Sequence, residues 1–338
     1  MLIPEISSEL QSQRTSVFDF PVFDRRAIEA MDPAVCNIQP GNGIVMRLEL
    51  AWGRWRRWWL KTFFPGYVAK MQSLRTGEQG GCPFDPIDPR DTKYYQNQGT
   101  YRWAKEYDAF RWRDRLPFVR AGLAELLLIG GFFVLLTLIF AWFYWPVAIP
   151  LAVVSLLIVW FFRNPNRRIP SAPGLVVSPA DGKIVAINEI DDPDIGPAVE
   201  IGIFLSIFNV HVNRASISGT VIGLRYRPGK FLNALRPESA RENEHLEIRV
   251  QQSEMPNRLI KIRQITGAIA RRIVCWIAPG DHLARGEIFG MIKLGSRTEL
   301  VLPRTRDLEI IVTIGENVKA GSSLMARYLS DSADDQGE

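Results

Sequence analysis

Apolar and polar positions divide the chain into three stretches, and the middle one is the plainest. From Leu126 to Phe162 no residue is charged. That run is far longer than the ~20 apolar residues that carry one helix across a bilayer. Pro146 and Pro150 interrupt it near its midpoint, where a proline removes a helical hydrogen bond and favours a turn. The pattern predicts a helical hairpin with arms near 122–145 and 147–162. Its second arm is short for a full crossing, which leaves a re-entrant or interfacial hairpin open beside a spanning one. Arg111, Arg113, Arg115 and Arg120 precede the run, and Arg163, Arg167 and Arg168 follow it. Cations concentrate in cytoplasmic loops, so both flanks are expected on the cytoplasmic side. A buried helix pair of a soluble protein is the plainer reading, but such helices are seldom charge-free for so long.

After Arg163 the apolar runs shorten and glycine and proline punctuate them. Residues 175–177, 184–187, 199–207, 220–226, 245–250, 259–265 and 308–314 read as strands, with turns at Gly174, Asp181-Gly182, Pro228-Gly229, Pro279-Gly280 and Gly315. Asp181-Gly182 between two apolar runs predicts a hairpin. A compact, largely antiparallel domain follows, and the fold class is mainly β (α+β).

Residues 1–118 are polar, aromatic and basic. Within them Trp52, Trp55, Trp59 and Phe63 recur at helical spacing, with Arg54, Arg57 and Lys61 largely on other faces. Such a helix suits the headgroup layer of a membrane. Packing on its own domain and binding of single-stranded nucleic acid are the alternatives. Gly80-Gly81-Cys82-Pro83 and the segment Asp85–Pro89 read as a loop. The start, Met1-Leu2-Ile3-Pro4-Glu5, turns polar at once, so no cleaved signal peptide is expected.

Charge and cysteine content change this picture little. Forty-one basic against 36 acidic residues leave a net charge of +5, too small to require nucleic acid but suited to an anionic membrane surface. The three cysteines, Cys36, Cys82 and Cys275, are scattered, with no Cys-x-x-Cys pair, which fits a reducing compartment and offers no zinc site. No metal is expected.

Only His211, His245 and His282 can supply histidine chemistry. His211 follows an apolar strand, and Asp181, His211 and Ser296 stand in the order acid, base, hydroxyl, the set that activates a serine when a carboxylate orients the imidazole. Ser296 follows Gly295, whose carbonyl no side chain shields and whose backbone tolerates strained angles. Those are the requirements for an N-to-O acyl shift. Each feature has a plain structural reading as well: a Gly-Ser turn, an Asp-Gly turn, a strand-end histidine. His245 and His282 are weaker candidates.

The motifs Phe161-Phe162-Arg163-Asn164-Pro165-Asn166-Arg167-Arg168-Ile169-Pro170, Ser178-Pro179-Ala180-Asp181-Gly182 and Asn209-Val210-His211-Val212-Asn213-Arg214 are followed by three more. These are Tyr226-Arg227-Pro228-Gly229-Lys230-Phe231, Arg271-Arg272-Ile273-Val274 and Phe289-Gly290-Met291-Ile292-Lys293-Leu294-Gly295-Ser296-Arg297. In this order, over about residues 120–320, they resemble the short prokaryotic form of phosphatidylserine decarboxylase. The resemblance implies self-cleavage between Gly295 and Ser296, driven by Asp181 and His211. It implies a large chain 1–295 and a small chain 296–338, with Ser296 becoming a covalent pyruvoyl group that serves instead of pyridoxal phosphate. That carbonyl would form a Schiff base with the serine headgroup and take up the electrons freed on decarboxylation to phosphatidylethanolamine. Three parts are expected: an extension of unknown role (1–118), a membrane hairpin (119–163) and the catalytic domain (164–338). The substrate is phosphatidylserine in membrane lipid, at the cytoplasmic face of the cell membrane; no nucleic acid is expected, and a homodimer is left open.

One position departs from the family's longer form, which has a histidine three residues before the catalytic one. Phe208 stands there, followed by Asn209, so the proton donor after decarboxylation is His211 or a water. Two rival readings exist. A membrane-bound serine hydrolase could use the same triad uncut, although no Gly-x-Ser-x-Gly elbow surrounds Ser296. A lipoyl- or biotinyl-carrier turn could lie in Ala278–Asp281, Arg285–Glu287 and Met291–Lys293, with Lys293 modified.

Overall fold

The computed structural model describes residues 24–41, 43–78, 86–95, 100–254, 256–268, 272–293 and 295–329. The polar start, the Gly80–Pro83 loop, Arg271 and Leu294 lie outside the described residues.

The charge-free run does form a helical hairpin. A short turn, α3 (Leu123–Glu125), leads into a continuous helical stretch that ends as α4 (Gly131–Phe143), and α5 (Trp145–Phe161) returns antiparallel beside it. They follow two upstream helices, α1 (Ile44–Phe63) and α2 (Pro65–Ser73). The turn falls at Tyr144, where the backbone leaves helical angles. Pro146 sits at the start of α5, where its missing N–H is harmless. Pro150, expected at the turn, lies inside α5 instead. The uninterrupted stretch Arg120–Phe143 has 24 residues, or about 36 Å of helix, against ~30 Å for a bilayer's hydrocarbon core. The arms leave Leu128, Phe132, Leu138, Trp142, Leu156 and Trp160 exposed.

Beyond Leu175 the described residues form strands β1 (Leu175–Val177), β2 (Gly182–Asp192), β3 (Gly196–Leu205), β4 (Val212–Arg214), β5 (Gly219–Arg227), β6 (His245–Gln252) and β7 (Leu259–Ile265). They continue with β8 (Arg272–Cys275), β9 (His282–Leu283), β10 (Ile288–Lys293), β11 (Ser296–Pro303), β12 (Leu308–Ile310), β13 (Asn317–Val318) and β14 (Leu324–Tyr328). Neighbours run antiparallel, as expected. The main sheet has the order β13-β2-β3-β11-β7-β6-β5-β9, and two smaller sheets have the orders β1-β14-β12 and β4-β10-β8. The hairpin expected at Asp181-Gly182 does not form: β1 pairs with β14, and β2 with β3 and β13. An Asp-Gly pair fixes a turn but not the partner of the strand before it.

Alternation along the strands separates two interiors. Ile201, Ile203, Ile248, Ile262, Leu300 and Phe289 meet in the apolar core. The opposite face of the main sheet carries buried ions. Arg263 reaches Glu247 at 2.8 Å, Glu200 at 3.1 Å and Asp192 at 3.3 Å, while Lys261 holds Asp192 and Asp194, each at 2.6 Å. On β11, burial and then Glu200 push the Glu299 carboxyl up to about 7.

The N-terminal stretch also belongs to this body. Glu29 N–H donates to Ile222 O at 2.7 Å, Cys275 N–H donates to Ile38 O at 2.7 Å, and Val35 is buried in the core.

A second apolar cluster joins the hairpin to the β domain. Phe161 and Phe162 pack with Val119, Val210, Val212, Val274 and Met291. Lys293, at the end of β10, pairs with Glu125 at the hairpin's base. Both side chains are largely buried, which removes Lys293 as a carrier lysine: a modified lysine must stand exposed at the tip of a turn.

Candidate active site

Ser296 opens β11, the strand held between β3 and β7. Its side chain shares the inward face with Thr298 and Leu300. Gly295 before it adopts φ +59, a left-handed conformation that costs other residues roughly 1–2 kcal/mol. The Gly295 carbonyl lies against Gly267, just beyond β7. A Cβ built on Gly267 would stand 1.8 Å from that oxygen. Glycine at 267 is therefore what lets the Gly295 carbonyl occupy its place.

His211 enters from the loop between β3 and β4. That loop is locked by Asn209, whose Oδ1 accepts from Ser206 N–H at 2.8 Å and from Ser206 Oγ–H at 2.7 Å. The Asn209 carbonyl then lies 2.9 Å from His211 Nδ1. With Nδ1–H donating there, the lone pair of the neutral ring is left on Nε2. Two residues on, Asn213 Nδ2 donates to Thr298 Oγ1 at 3.2 Å. That bond ties β4 to β11, two residues from His211 on one side and two from Ser296 on the other. Neither side chain is exposed to solvent. His211 Nε2 and Ser296 Oγ are both buried without a hydrogen-bond partner. A buried polar atom left unpaired costs roughly 1–3 kcal/mol; here a base and a hydroxyl both carry that cost.

Burial pushes the His211 imidazole down to about 4, opposed by its bond to Asn209 and assisted by the positive Arg163. Phe161 packs on the ring, centroids 4.5 Å apart, and supplies part of that dry environment. The imidazole is thus neutral at physiological pH, as a base requires. Between about 4 and 6.5 the unfolded chain binds a proton at His211 that the native chain does not. Stability therefore falls as the pH drops through that window. Self-cleavage followed across pH is expected to show no inflection at 6.5 and to fail only on approach to about 4. An inflection near 6.5 would mean that a solvent-exposed histidine is the base.

Asp181 stands on the loop before β2, and its partners differ from those a triad would give it. Arg167 Nη2 donates to Oδ2 at 2.7 Å and Ala320 N–H donates to Oδ1 at 2.8 Å. The imidazole is oriented by the Asn209 carbonyl, and the carboxylate meets an arginine. Asp181 stays coupled to the site through its loop, since Arg214 N–H and Asn213 Nδ2 donate to Pro179 O at 3.0 and 3.3 Å. Phe208, in the place of the longer form's extra histidine, points outward and is 61% exposed. Its carbonyl accepts from Arg163 Nη2 at 2.8 Å and Trp160 Nε1 at 3.2 Å, so the His211 loop is fastened to the end of the hairpin.

His245 and His282 lie elsewhere. His245 pairs with Ile265, itself paired with Arg297, and faces the ionic side of the sheet. His282 sits on β9, the sheet's edge strand. Among the described residues no cluster of histidine, cysteine and carboxylate side chains could hold a metal.

Sequence reasoning missed Asn209 as the orienting group, Arg167 as the partner of Asp181, and Gly267. The first two sit inside recognised motifs; Gly267 carried no signal at all. Gly267→Ala is expected to displace the Gly295 peptide, and a displacement near 1 Å at a reacting centre costs about 10²-fold in rate. Accumulation of uncut precursor after synthesis measures it, and normal processing would show that the carbonyl has room to spare.

The family model described as phosphatidylserine decarboxylase matches residues 154–326, from within α5 into β14. A phosphatidylserine decarboxylase proenzyme of Rhodopirellula baltica is 58% identical over 236 residues, 70% of this chain and 98% of that protein. The proenzyme of Syntrophus aciditrophicus is 40% identical over 225 residues, 66% of this chain and 100% of that one. That of Chlorobium chlorochromatii is 46% identical over 179 residues, 52% and 82% of the two chains. The serine hydrolase reading finds no support in these names. Because the shared stretch holds both buried, unpartnered atoms and the strands that position them, this chain belongs to the phosphatidylserine decarboxylase family.

Proposed function

We propose that this protein decarboxylates phosphatidylserine to phosphatidylethanolamine after cutting itself between Gly295 and Ser296. The observation that carries the reading is the pair of buried, unpartnered atoms, His211 Nε2 and Ser296 Oγ, beside a left-handed glycine.

In the uncut chain, His211 Nε2 takes the Ser296 hydroxyl proton as Oγ attacks the Gly295 carbonyl carbon. The C–N bond breaks, the proton passes to the Ser296 nitrogen, and the amide becomes an ester. Loss of the Ser296 Cα proton then expels Gly295 as a carboxylate and leaves dehydroalanine. Water hydrolyses that residue, releases ammonia and leaves a pyruvoyl group at position 296. The surroundings fit this group: the Ser296 hydroxyl it replaces makes no hydrogen bond. Its carbonyl, conjugated to an amide, supplies the electron sink for loss of carbon dioxide. His211, or a water, then delivers the proton that the substrate's Cα takes up once carbon dioxide has left. Asp181 holds Arg167 near the site, and Arg163 and Arg167 offer cations to an anionic headgroup.

Ser296 is fully buried before cleavage, so a headgroup reaches it only once the new carboxylate has moved away. The hairpin 119–163 anchors the catalytic domain 164–338 in the membrane, with the active site at the cytoplasmic face. The large chain 1–295 and the small chain 296–338 stay together, because β11 remains hydrogen-bonded to β3 along its length and to β7 over Arg297–Val301.

The test is purification followed by native and denaturing separation. One native species is expected that resolves into two chains in denaturant, releases carbon dioxide from phosphatidylserine, and loses activity to hydroxylamine. Carbon dioxide release by a single uncut species would end this reading.

A further inference from the structure

Helix α1 is built inside out. At 100° per residue, positions 46, 50, 53 and 57 share an arc of about 60°, and this arc faces the protein. Met46 and Leu50 pack on Tyr94 and Tyr95, Gly53 lies against the Tyr94 ring, and Arg57 stacks over Tyr95 at 4.8 Å. Beside them Arg56 is buried, bonded to Asp91 at 2.9 Å and to Asp88. The opposite arc holds Trp52, Trp55, Trp59 and Phe63, all exposed. Their rings form a ladder with centroid spacings of 4.8, 5.7 and 4.3 Å. A helix that turns an arginine inward and a row of tryptophans outward has exchanged the faces that water selects.

Two further observations identify what covers the row. Across α1 and α2 the exposed charges Arg47, Arg54, Lys61 and Lys70 are all positive. The single acid of these helices, Glu49, is held by Lys93 at 2.7 Å. The helix also starts at the hairpin's end of the molecule. Gly43 packs against the Arg272 guanidinium, Arg272 pairs with Lys293 across β8 and β10, and Lys293 holds Glu125 at the hairpin's base. Tryptophan with cations along one flank of the helix suits the headgroup layer, where an indole's apolar body and N–H both find partners.

We propose that α1 is a second membrane contact, lying in the headgroup layer of a bilayer that contains anionic phospholipid. This goes beyond the decarboxylase reading and does not depend on it. About 30% of this chain falls outside the stretch shared with the R. baltica protein, which is itself covered almost completely. An added surface contact would give the catalytic domain a second point of attachment to the membrane beside the hairpin.

The test uses the full chain carrying Trp55→Cys with a nitroxide, in a Cys36→Ser, Cys82→Ser background; Cys275 is buried, and burial pushes its thiol up to about 12. A second label at exposed Ser171 (Ser171→Cys) in the same background serves as reference. The protein is reconstituted in phosphatidylcholine vesicles with and without phosphatidylglycerol. With phosphatidylglycerol, the label at 55 is expected to be shielded from a water-soluble nickel complex and open to oxygen, while the label at 171 stays open to nickel. Changing Arg47, Arg54 and Lys61 to glutamine should weaken docking, each charge accounting for about fivefold in the equilibrium. Equal nickel access at both positions would overturn the proposal. So would shielding that ignores phosphatidylglycerol, or dipolar broadening between labels at 55, which would mean that a second copy covers the stripe. None of these readouts requires decarboxylase activity.

Discussion

Ser296→Ala is expected to yield a single 338-residue species with no decarboxylase activity. In the proposed mechanism the hydroxyl is both the nucleophile that opens the Gly295 peptide and, once acylated, the leaving group whose elimination gives the dehydroalanine that becomes the pyruvoyl group, so its loss removes two steps at once. The fold should not suffer. Ser296 Oγ is buried and unpartnered, and deleting such a hydroxyl relieves a desolvation cost of roughly 1 kcal/mol or more. The variant should therefore melt at or above the temperature of an uncut wild-type chain. Intact-mass measurement reads the first outcome and calorimetry the second. A Ser296→Ala protein that still released carbon dioxide would refute the assignment of the prosthetic group.

The next largest effect is expected at His211. In His211→Gln the amide can donate to the Asn209 carbonyl in place of Nδ1–H, so the loop keeps its hydrogen bond while the proposed base is lost. Removal of a positioned general base costs about 10²–10⁴ in rate. Precursor should accumulate and mature over hours, with circular dichroism unchanged. Pulse-labelling followed by denaturing separation gives the rate directly. Cleavage at the wild-type rate would leave His211 as a packing residue under Phe161.

The contrast between His211 and Asp181 shows where sequence reasoning reaches its limit. Both residues were legible as candidates, because each stands in a recognisable motif. Their relationship was not. The order acid, base, hydroxyl invites a carboxylate on the imidazole, but Nδ1 is satisfied two residues away by Asn209. Asp181 meets Arg167, fourteen positions earlier. A short loop that bends back on itself can orient an imidazole without any help from a distant acid.

The strands show the same division. β5, β6 and β7 follow the alternation of their own residues and were legible as such. The β4, β10 and β11 strands were recognised only as motifs. Their side chains serve the site or the ionic face as well as the core, so apolar periodicity is broken where function is densest. α1 is the sharpest case: its helical spacing was plain, and the direction of its faces was not.

The sequence by itself determined the local matters: a hairpin written as a long charge-free run, strands written as alternation, a glycine before a serine. Each depends on residues a few positions apart, whose geometry the backbone dictates. Only the tertiary structure decided which strand β1 joins, that Gly267 makes room for the Gly295 carbonyl, and that Asn213 and Thr298, 85 positions apart, tie the strand after His211 to the strand that Ser296 opens. Such contacts are chosen by what the whole chain can bury together once its loops have closed, and a single sequence carries no local mark of that choice.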